Sequence, residues 1–201
     1  MSRKLSWLLR HGAHEVGLSM DAAGWATVDD VLRHVRATRR ALETVVRTND
    51  KGRYQLVGAR IRACQGHSTS GTPVTADALE ASWERVSRDR LLYHGTSPDS
   101  VAVIAQSGAL RPMARTHVHL ADTPDAKVGK RANVGVLLVV APQRLEAAGH
   151  RVFRSPNGVL LVREVPWDCV VDLVAVSRRA RAAHEALRRQ LIHDASPLPP
   201  R

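Results

Sequence analysis

The apolar residues of the chain change their spacing near residue 50, and this change restricts the folds that the chain can adopt. Up to about Val46 they recur at helical spacing, which predicts three short helices. The second helix should begin near Thr27, because Thr27 and Asp30 match the Asp variant of a capping box. After a turn sequence at residues 49–52, the spacing becomes period two on either side of Gly58. Three helices followed by a β-hairpin are typical of a winged-helix module.

The second half of the chain has a different pattern, and a stretch rich in Ser, Thr, Gly and Pro at residues 68–75 precedes it. Ser97 and Pro98 supply an N-cap and a first-turn proline for a helix ending near Gly108, and Thr123-Pro124 should open another. The class predicted is therefore α+β, with a final helix at residues 177–193. Strands are predicted at residues 91–93, 118–120, 134–140, 152–154, 159–165 and 170–176.

These patterns divide the chain into a lobe at residues 1–75, a linker at 76–90, a second lobe at 91–176 and a C-terminal helix with a Pro-rich end at 177–201. Net charge is about +5 for residues 1–90 and +6 for the remainder. A surface that binds nucleic acid should therefore draw on both lobes.

The composition is that of a folded protein, since 44% of the residues are hydrophobic and 24% are charged. Lys and Arg number 30 against 19 Asp and Glu, a net charge of +11, which favours a polyanionic partner such as nucleic acid or a nucleotide. Most of these basic residues are arginine, and a GC-rich genome alone can produce such an excess. Whether the charge indicates a polyanionic partner therefore depends on where the arginines lie.

Cellular location and assembly are predicted from what the sequence lacks. Cys64 and Cys169 cannot form a disulfide framework, which suits a reducing cytosol. The first apolar stretch is too short for a signal peptide, and the longest, Val134 to Ala141, is too short to span a bilayer. Without a heptad pattern or a broad apolar stripe, we expect a cytoplasmic monomer.

Arg10 and Arg62 each lie beside small or turn-forming residues, where side chains face solvent or a cleft. Arg10 and His11 end the first predicted helix, so they can equally be a C-terminal cap that is favoured by the helix dipole. Arg62 lies at a strand end in the sequence RACQGHS, where a solvated hairpin edge is the alternative.

Two further clusters contain histidine. His94 precedes Gly95 and Thr96 between a strand and a helix, which suits contact with an anion or a ribose, although such a histidine is often only a hydrogen-bonded core residue. His117 and His119 should share one face of a strand, close to Arg115. No further ligand pair completes a zinc site with these histidines, so we expect no metal.

Several enzyme classes are excluded by the motifs they require. The chain has no Gly-x-Ser-x-Gly, no phosphate loop and no Gly-x-Gly-x-x-Gly, and acidic pairs are scarce near the clusters. What remains is a site rich in Arg and His, which is suited to holding a phosphate through bidentate guanidinium contacts.

Taken in order, the sequences LSWLLRH, RACQGHS, LYHGT, RTHVHL and SPNGV resemble the RNA 2′-phosphotransferase family, also called tRNA 2′-phosphotransferase, over roughly residues 3–172. The resemblance implies an N-terminal winged-helix RNA-binding lobe and a C-terminal ADP-ribosyltransferase lobe. It also implies that an internal 2′-phosphate of RNA attacks NAD⁺ and expels nicotinamide. A ribose hydroxyl then attacks the phosphate, releasing 2′-hydroxyl RNA and ADP-ribose 1″,2″-cyclic phosphate. By the same resemblance, Arg10, His11, Arg62 and Arg115 surround the phosphate.

The resemblance extends to the NAD⁺ site. It implies that His94 holds the nicotinamide-side ribose, that Gly95 and Thr96 line the carboxamide site, and that His119 stands where related enzymes often carry Tyr. In the sequence NGVLL, Val159 occupies a position that is commonly Glu, and a phosphate that arrives ionised does not need that carboxylate. The NAD⁺-binding residues implied are His94, Gly95, Thr96, His119, Asn157, Gly158 and Val159.

Two other functions stay open. The same lobe can ADP-ribosylate terminal phosphates of RNA or DNA, in which case the second step does not occur. A winged-helix regulator with a decayed catalytic lobe is the other alternative. The sequence identifies neither the physiological RNA substrate nor a role for residues 177–201.

Overall fold

The computed structural model describes residues 1–126, 134–176 and 178–191. The chain forms two compact units, each built from several segments. Unit 1 comprises Met1–Arg85, Pro112–His117 and Phe153–Gly158. Unit 2 comprises Val86–Arg111, Val118–Val152 and Val159–Arg201.

Unit 1 begins with a helix that changes its hydrogen-bonding period. Helix α1 (Ser2–Trp7) continues into a π-helical turn at Leu8–Gly12. The elements that follow are β1 (Ala26–Thr27), α2 (Val28–Val35), α3 (Arg39–Arg47), β2 (Tyr54–Val57), β3 (Arg60–Ala63), α4 (Ala76–Ala81) and β4 (Glu84–Val86).

The predicted helix start and hairpin of unit 1 are confirmed. The Thr27 hydroxyl accepts a hydrogen bond from the Asp30 N–H at 3.2 Å and caps α2. Strands β2 and β3 pair antiparallel on either side of Gly58, and the sheet order is β1-β3-β2. The sheet and the helices bury a shared apolar core, which includes Leu5, Leu8, Leu9, Val31, Leu42 and Ile61.

Unit 2 consists of short antiparallel strands with helices between them. Its elements are β5 (Leu92–Thr96), α5 (Pro98–Gln106), β6 (Ala109–Leu110), β7 (Val118–Leu120), β8 (Val136–Val140), α6 (Pro142–Ala147), β9 (Val152–Arg154), β10 (Leu160–Val162), β11 (Val165–Pro166), β12 (Val170–Ala175) and α7 (Arg178–Leu191). Strand β9 is shared between the two units, and it neighbours β4.

The central strand of unit 2 is β8, whose five residues are all buried. It lies between β5 and β12, with His94 opposite Leu138. Strand β7 pairs with β10, with His119 opposite Leu161. Helix α7 is attached to this unit by an ion pair of 2.5 Å between Arg188 and Asp172. Five of the six strands predicted for this half are confirmed, and the sixth, 159–165, is divided into β10 and β11, which belong to different sheets. The fold is a mixed α+β arrangement of small antiparallel sheets.

Two predictions need adjustment. Segment 76–90 was predicted as a linker, but it contains α4 and β4, because Thr75 caps a short helix by accepting the Ala78 N–H. Residues 123–125, predicted to open a helix, form a bend and a turn, and 127–133 lie outside the described residues. Ser177 and the Pro-rich end at 192–201 also lie outside them. No helix in the described ranges is long and apolar enough to cross a membrane.

Candidate active site

Arg10 and His11 lie in the π-helical turn that follows α1. Such turns are rare and are found frequently at functional sites. The Trp7 ring packs against Gly12, where an added Cβ would lie 2.4 Å from ring carbons. Glycine is therefore required at position 12 to keep this packing.

A loop at residues 66–71 packs against the turn. The Ser68 N–H donates to the Arg10 carbonyl at 2.8 Å, and the Ser68 hydroxyl donates to the same oxygen at 3.2 Å. At Gly71 an added Cβ would lie 1.7 Å from the His11 carbonyl oxygen, so the two backbones approach too closely for any side chain. These contacts fix the turn that carries Arg10 and His11.

The other edge of this loop brings in Arg115, which is distant in sequence. Ser68 and Arg115 are opposite each other in an antiparallel bridge. On either side of it, Thr69 N–H donates to the Ala114 carbonyl and Thr116 N–H donates to the His67 carbonyl. The loop therefore links the segments that carry Arg10 and Arg115.

The Arg10 guanidinium is buried with donors that have no acceptor. Among the described residues, neither Nε nor Nη2 has a hydrogen-bond partner. Its Cζ lies 3.6 Å from where a Cβ would stand on Gly66. The pKa of Arg10 is lowered to about 10, mainly by burial; Tyr54 opposes this shift, and the positive charges of Arg115 and Arg53 contribute to it. The group is still cationic at neutral pH and needs an anionic partner.

Arg62 is only 3% exposed, and the protein supplies its partners. Its Nε donates to Gln55 at 2.9 Å, and its Nη1 donates to the Ser82 hydroxyl at 2.7 Å and to the Ala23 carbonyl at 3.2 Å. Its Cζ lies 4.6 Å from the centre of the Trp25 ring. Burial lowers the pKa of Arg62. Its guanidinium is therefore fixed in orientation before any ligand binds.

His11 is exposed, and its pKa lies below the ordinary value because of partial burial and then the charges of Arg10 and Arg115. At neutral pH it is uncharged and can accept a proton. The structure thus gathers the four predicted phosphate residues within unit 1, and it places Arg10, His11 and Arg115 close enough to influence one another electrostatically.

His67 has no accessible surface, and both ring nitrogens are without a hydrogen-bond partner among the described residues. Its pKa is lowered to about 3, mainly by burial and in addition by Arg10, Arg62, His11 and His117. The sequence analysis did not assign a role to this residue, although it lies within the sequence RACQGHS.

Of the two histidines that were expected to share a strand face, only His119 lies within a strand. His117 precedes β7 and belongs to unit 1, where it pairs with Glu80 at 3.0 Å and packs edge-on against Trp83. His119 lies within β7 of unit 2. Among the described residues, no group of three or more His, Cys, Asp or Glu side chains is arranged to hold a metal ion.

Unit 2 contains His94, Gly95, Thr96, His119 and Val159 of the predicted NAD⁺ set, whereas Asn157 and Gly158 belong to unit 1. His94 Nδ1 lies 2.9 Å from the His119 carbonyl oxygen, which only accepts, so Nδ1 carries the proton. In the neutral ring, Nε2 is then an acceptor, which fits a ribose hydroxyl. At Gly95 an added Cβ would lie 2.5 Å from Val134, so no side chain fits. These features are compatible with a bound nucleotide.

The predicted residues of the SPNGV sequence have structural contacts of their own. The Asn157 amide donates to the Lys51 carbonyl at 2.9 Å, and its oxygen accepts from the Ser155 hydroxyl at 2.8 Å. Gly158 has a φ of 80°, and Val159 is 2% exposed. Their participation in NAD⁺ binding stays a prediction.

Sequence reasoning missed the residues that orient Arg62. Gln55 is its cross-strand partner in the hairpin, so a register assignment could have identified it. Ser82 and Ala23 reach it through tertiary contacts that carry no local sequence signal. Trp25 precedes α2 and lies beneath the guanidinium groups of Arg60 and Arg62.

Comparison with known proteins identifies the family of the chain. Residues 1–164 match the family model described as "RNA 2'-phosphotransferase, Tpt1 / KptA family". A probable RNA 2′-phosphotransferase of Burkholderia lata is 41% identical over 184 residues, covering 86% of this chain and 90% of that protein. A protein with the same description from Pseudomonas syringae pv. tomato is 40% identical, covering 83% of this chain and 89% of that protein. Another from Pyrobaculum aerophilum is 34% identical, covering 87% of this chain and 81% of that protein. The chain therefore belongs to the RNA 2′-phosphotransferase family, and it is an NAD⁺-dependent transferase that removes a 2′-phosphate from RNA.

Proposed function

We propose that the chain removes an internal 2′-phosphate from RNA in two steps, with Arg10, His11, Arg62 and Arg115 around the phosphate. In the first step a phosphate oxygen displaces nicotinamide from NAD⁺, which supplies the ADP-ribosyl group. In the second, a hydroxyl of that group displaces the RNA 2′-oxygen from phosphorus. The products are 2′-hydroxyl RNA, nicotinamide and ADP-ribose 1″,2″-cyclic phosphate.

The observation that carries this proposal is that two donors of the Arg10 guanidinium lack acceptors. Its Nε and Nη2 are buried and have no acceptor among the described residues. Two adjacent guanidinium donors match the bidentate geometry of a phosphate. Arg115 lies across the 66–71 loop, so a phosphate bound to Arg10 would also experience its charge. The cluster supplies the preorganised positive field that a phosphoryl transition state requires.

His11 suits the proton transfers of the second step. Its pKa is lowered by burial, Arg10 and Arg115, so the ring is neutral and can act as a base at neutral pH. It takes the proton of the attacking hydroxyl and returns a proton to the departing RNA 2′-oxygen. The step is therefore balanced in protons, and no second acid is required.

The assignment of lobes is supported by topology. In residues 1–75 the helices and strands follow one another as α1, β1, α2, α3, β2 and β3, with sheet order β1-β3-β2, as expected for a winged-helix RNA-binding lobe. The antiparallel strands of residues 91–176 suit the ADP-ribosyltransferase lobe. In that lobe, we assign the His94 Nε2 to a ribose hydroxyl of NAD⁺.

The test uses a short RNA with one internal 2′-phosphate, incubated with and without NAD⁺, and mass spectrometry of the products. We expect NAD⁺-dependent formation of 2′-hydroxyl RNA and the cyclic phosphate. Arg33→Gln is the matched control for arginine variants, because Arg33 is exposed on α2 and pairs with Asp30 beside it.

Two other results would contradict the proposal. An ADP-ribosylated RNA that accumulates without further conversion would contradict the second step. If a 5′-phosphorylated RNA without a 2′-phosphate reacted faster than the 2′-phosphorylated RNA, ADP-ribosylation of terminal phosphates would be the preferred function.

A further inference from the structure

His67 is a buried polar residue that the proposed mechanism does not use. Its side chain has no exposed surface, and neither ring nitrogen has a hydrogen-bond partner among the described residues. Buried polar side chains in folded proteins are nearly always hydrogen-bonded, so an imidazole left in this state requires an explanation. A ligand that is bound only during the reaction provides one.

The position of His67 links it to three segments of the candidate site. The next residue, Ser68, donates its N–H to the Arg10 carbonyl. The His67 carbonyl accepts from Thr116, the neighbour of Arg115. On a third side, Nε2 lies 2.9 Å from where a Cβ would stand on Gly24.

Gly24 belongs to the turn that also holds Arg62. The preceding residue, Ala23, accepts a hydrogen bond from Arg62 Nη1 at 3.2 Å. His67 therefore lies where the segments that bind or carry Arg10, Arg62 and Arg115 converge. A residue in this position is surrounded by the groups assigned to the phosphate.

The surrounding charges determine the form of the ring. Burial holds the pKa of His67 far below its ordinary value, and Arg10, Arg62, His11 and His117 lower it further. An uncharged imidazole has one N–H donor and one acceptor nitrogen. It adds a hydrogen bond for a phosphate without adding another positive charge to a region that already holds three arginines.

The packing against Gly24 selects which nitrogen is the donor. Nε2 faces Gly24, where an added Cβ would lie 2.9 Å away, and an N–H at Nε2 has no acceptor among the described residues. A lone pair on Nε2 tolerates this contact, since C–H groups donate weakly to acceptors. We therefore assign the proton to Nδ1, the ring nitrogen that does not face Gly24.

We propose that the Nδ1–H of His67 donates a hydrogen bond to an oxygen of the RNA 2′-phosphate, beside the guanidinium of Arg10. This inference rests on the proposed function, because it assigns a further ligand to the same phosphate. His67 is thus a neutral member of the phosphate-binding set, and its contribution is to binding of the phosphate group rather than to proton transfer.

The variants that test this role differ in which ring nitrogen they mimic. His67→Asn places an amide nitrogen near the position of Nδ1, His67→Gln places one near Nε2, and His67→Phe offers neither. The measurement is the dissociation constant, without NAD⁺, for an RNA with a 2′-phosphate and for the same RNA with a 2′-hydroxyl. The ratio of the two constants reports the phosphate contact alone.

We expect the wild-type preference for the phosphorylated RNA to persist within about threefold in His67→Asn. In His67→Gln and His67→Phe it should fall by about tenfold or more, as expected for loss of a hydrogen bond to a charged group. Binding of the 2′-hydroxyl RNA should be the same in all four proteins. Equal preference in all of them would show that His67 only fills space, and would overturn the proposal.

The pH profile of kcat/KM provides a second readout. Since His67 stays neutral in the working range, His67→Asn should keep the acidic limb of the wild type. Movement of that limb would assign His67 as the base and would overturn the proposal.

If the variants do not fold, NMR of wild-type protein labelled with ¹⁵N-histidine tests the same assignment. The His67 proton should be found on Nδ1 and should shift when the 2′-phosphorylated RNA is added. A proton on Nε2, or no shift on binding, would contradict the assignment. Turnover by the wild type is scored separately: its absence counts against the proposed function, whereas turnover with an unperturbed His67 counts against this inference alone.

Discussion

Arg10 and Arg62 both have buried guanidinium donors in the same unit, but they differ in their hydrogen-bond partners. Arg62 donates to Gln55, Ser82 and the Ala23 carbonyl. Arg10 has two buried donors, Nε and Nη2, without an acceptor among the described residues. The comparison separates an arginine whose donors are satisfied within the fold from one whose buried donors would be satisfied by the phosphate that we propose as its ligand.

This difference has an energetic consequence. A buried cation without an acceptor destabilises the folded state, because desolvation is not compensated by hydrogen bonds. At Arg10 that cost leaves a donor pair already oriented for a phosphate, and electrostatic preorganisation of this kind accelerates reactions that develop charge. At Arg62 the same type of side chain stabilises the fold through its partners while remaining beside the site.

The largest effect is expected at Arg10. Replacing it with Met removes the charge and retains much of the side-chain volume. We expect kcat/KM to fall by about 10²–10³, as for loss of a key transition-state donor. The free energy of unfolding should be unchanged or higher, since an uncompensated buried charge is removed. Steady-state kinetics and urea unfolding measure the two quantities.

Arg33→Gln, the matched loss of an exposed charge, should change neither quantity appreciably. If Arg10→Met lost stability to the same degree as activity, Arg10 would be a structural residue like Arg62, and the contrast between them would disappear.

Arg62→Met should lower both activity and stability. We expect a loss of about 10²–10³ in kcat/KM, together with about 3 kcal/mol of unfolding free energy, because Gln55, Ser82 and the Ala23 carbonyl lose a buried donor. Urea denaturation of Arg62→Met and Arg10→Met, measured in parallel, compares their free energies of unfolding. A stable but inactive Arg62→Met would mean that its protein contacts contribute little to the fold.

Ser82 tests a single hydrogen bond of the Arg62 network. Ser82→Ala removes the 2.7 Å contact with Arg62 Nη1 and should cost about 1 kcal/mol of stability, with a severalfold loss of kcat/KM. Ser107 is a matched control. At the end of α5 its hydroxyl donates to the Ile104 carbonyl, as the Ser82 hydroxyl donates to the Leu79 carbonyl at the end of α4. Among the described residues no arginine donates to the Ser107 hydroxyl, since Arg111 donates to the Ser107 carbonyl instead. Ser107→Ala should therefore lose stability without losing activity; a similar loss of activity in both would assign the effect to the helix end.

Local sequence signals predicted much of the fold and part of the site. Thr27 with Asp30 identified a helix start, and the period-two pattern around Gly58 identified a hairpin, because both depend on residues close in sequence. The close approach of Gly71 to His11 and the orphaned ring of His67 arise where distant segments meet. Such features depend on tertiary packing, which a single sequence does not display.

The four residues that we propose around the phosphate were predicted by resemblance, and the sequence could not distinguish their surroundings. Arg10 and Arg62 both looked like a cap or a solvated edge residue, since each adjoins small residues. In the structure, the two arginines are distinguished by their burial and by their hydrogen-bond partners. Asn157 shows the same limit, because its contact with the Lys51 carbonyl joins parts of unit 1 that are far apart in sequence.

The smallest expected effect concerns the titration of His11. Burial, Arg10 and Arg115 lower its pKa, and Arg62 is not among the groups that do so. Arg10→Met removes one of these positive charges, so the pKa of His11 should rise, whereas Arg62→Met should leave it unchanged. NMR titration of the His11 ring measures this directly and does not depend on residual activity. In Arg10→Met, the protonated form would then persist to higher pH, and the acidic limb of the remaining kcat/KM would move in the same direction if His11 is the base. A shift of equal size in Arg62→Met would mean that both guanidinium groups act on His11, and the distinction between the two arginines would then hold for hydrogen bonding but not for electrostatics.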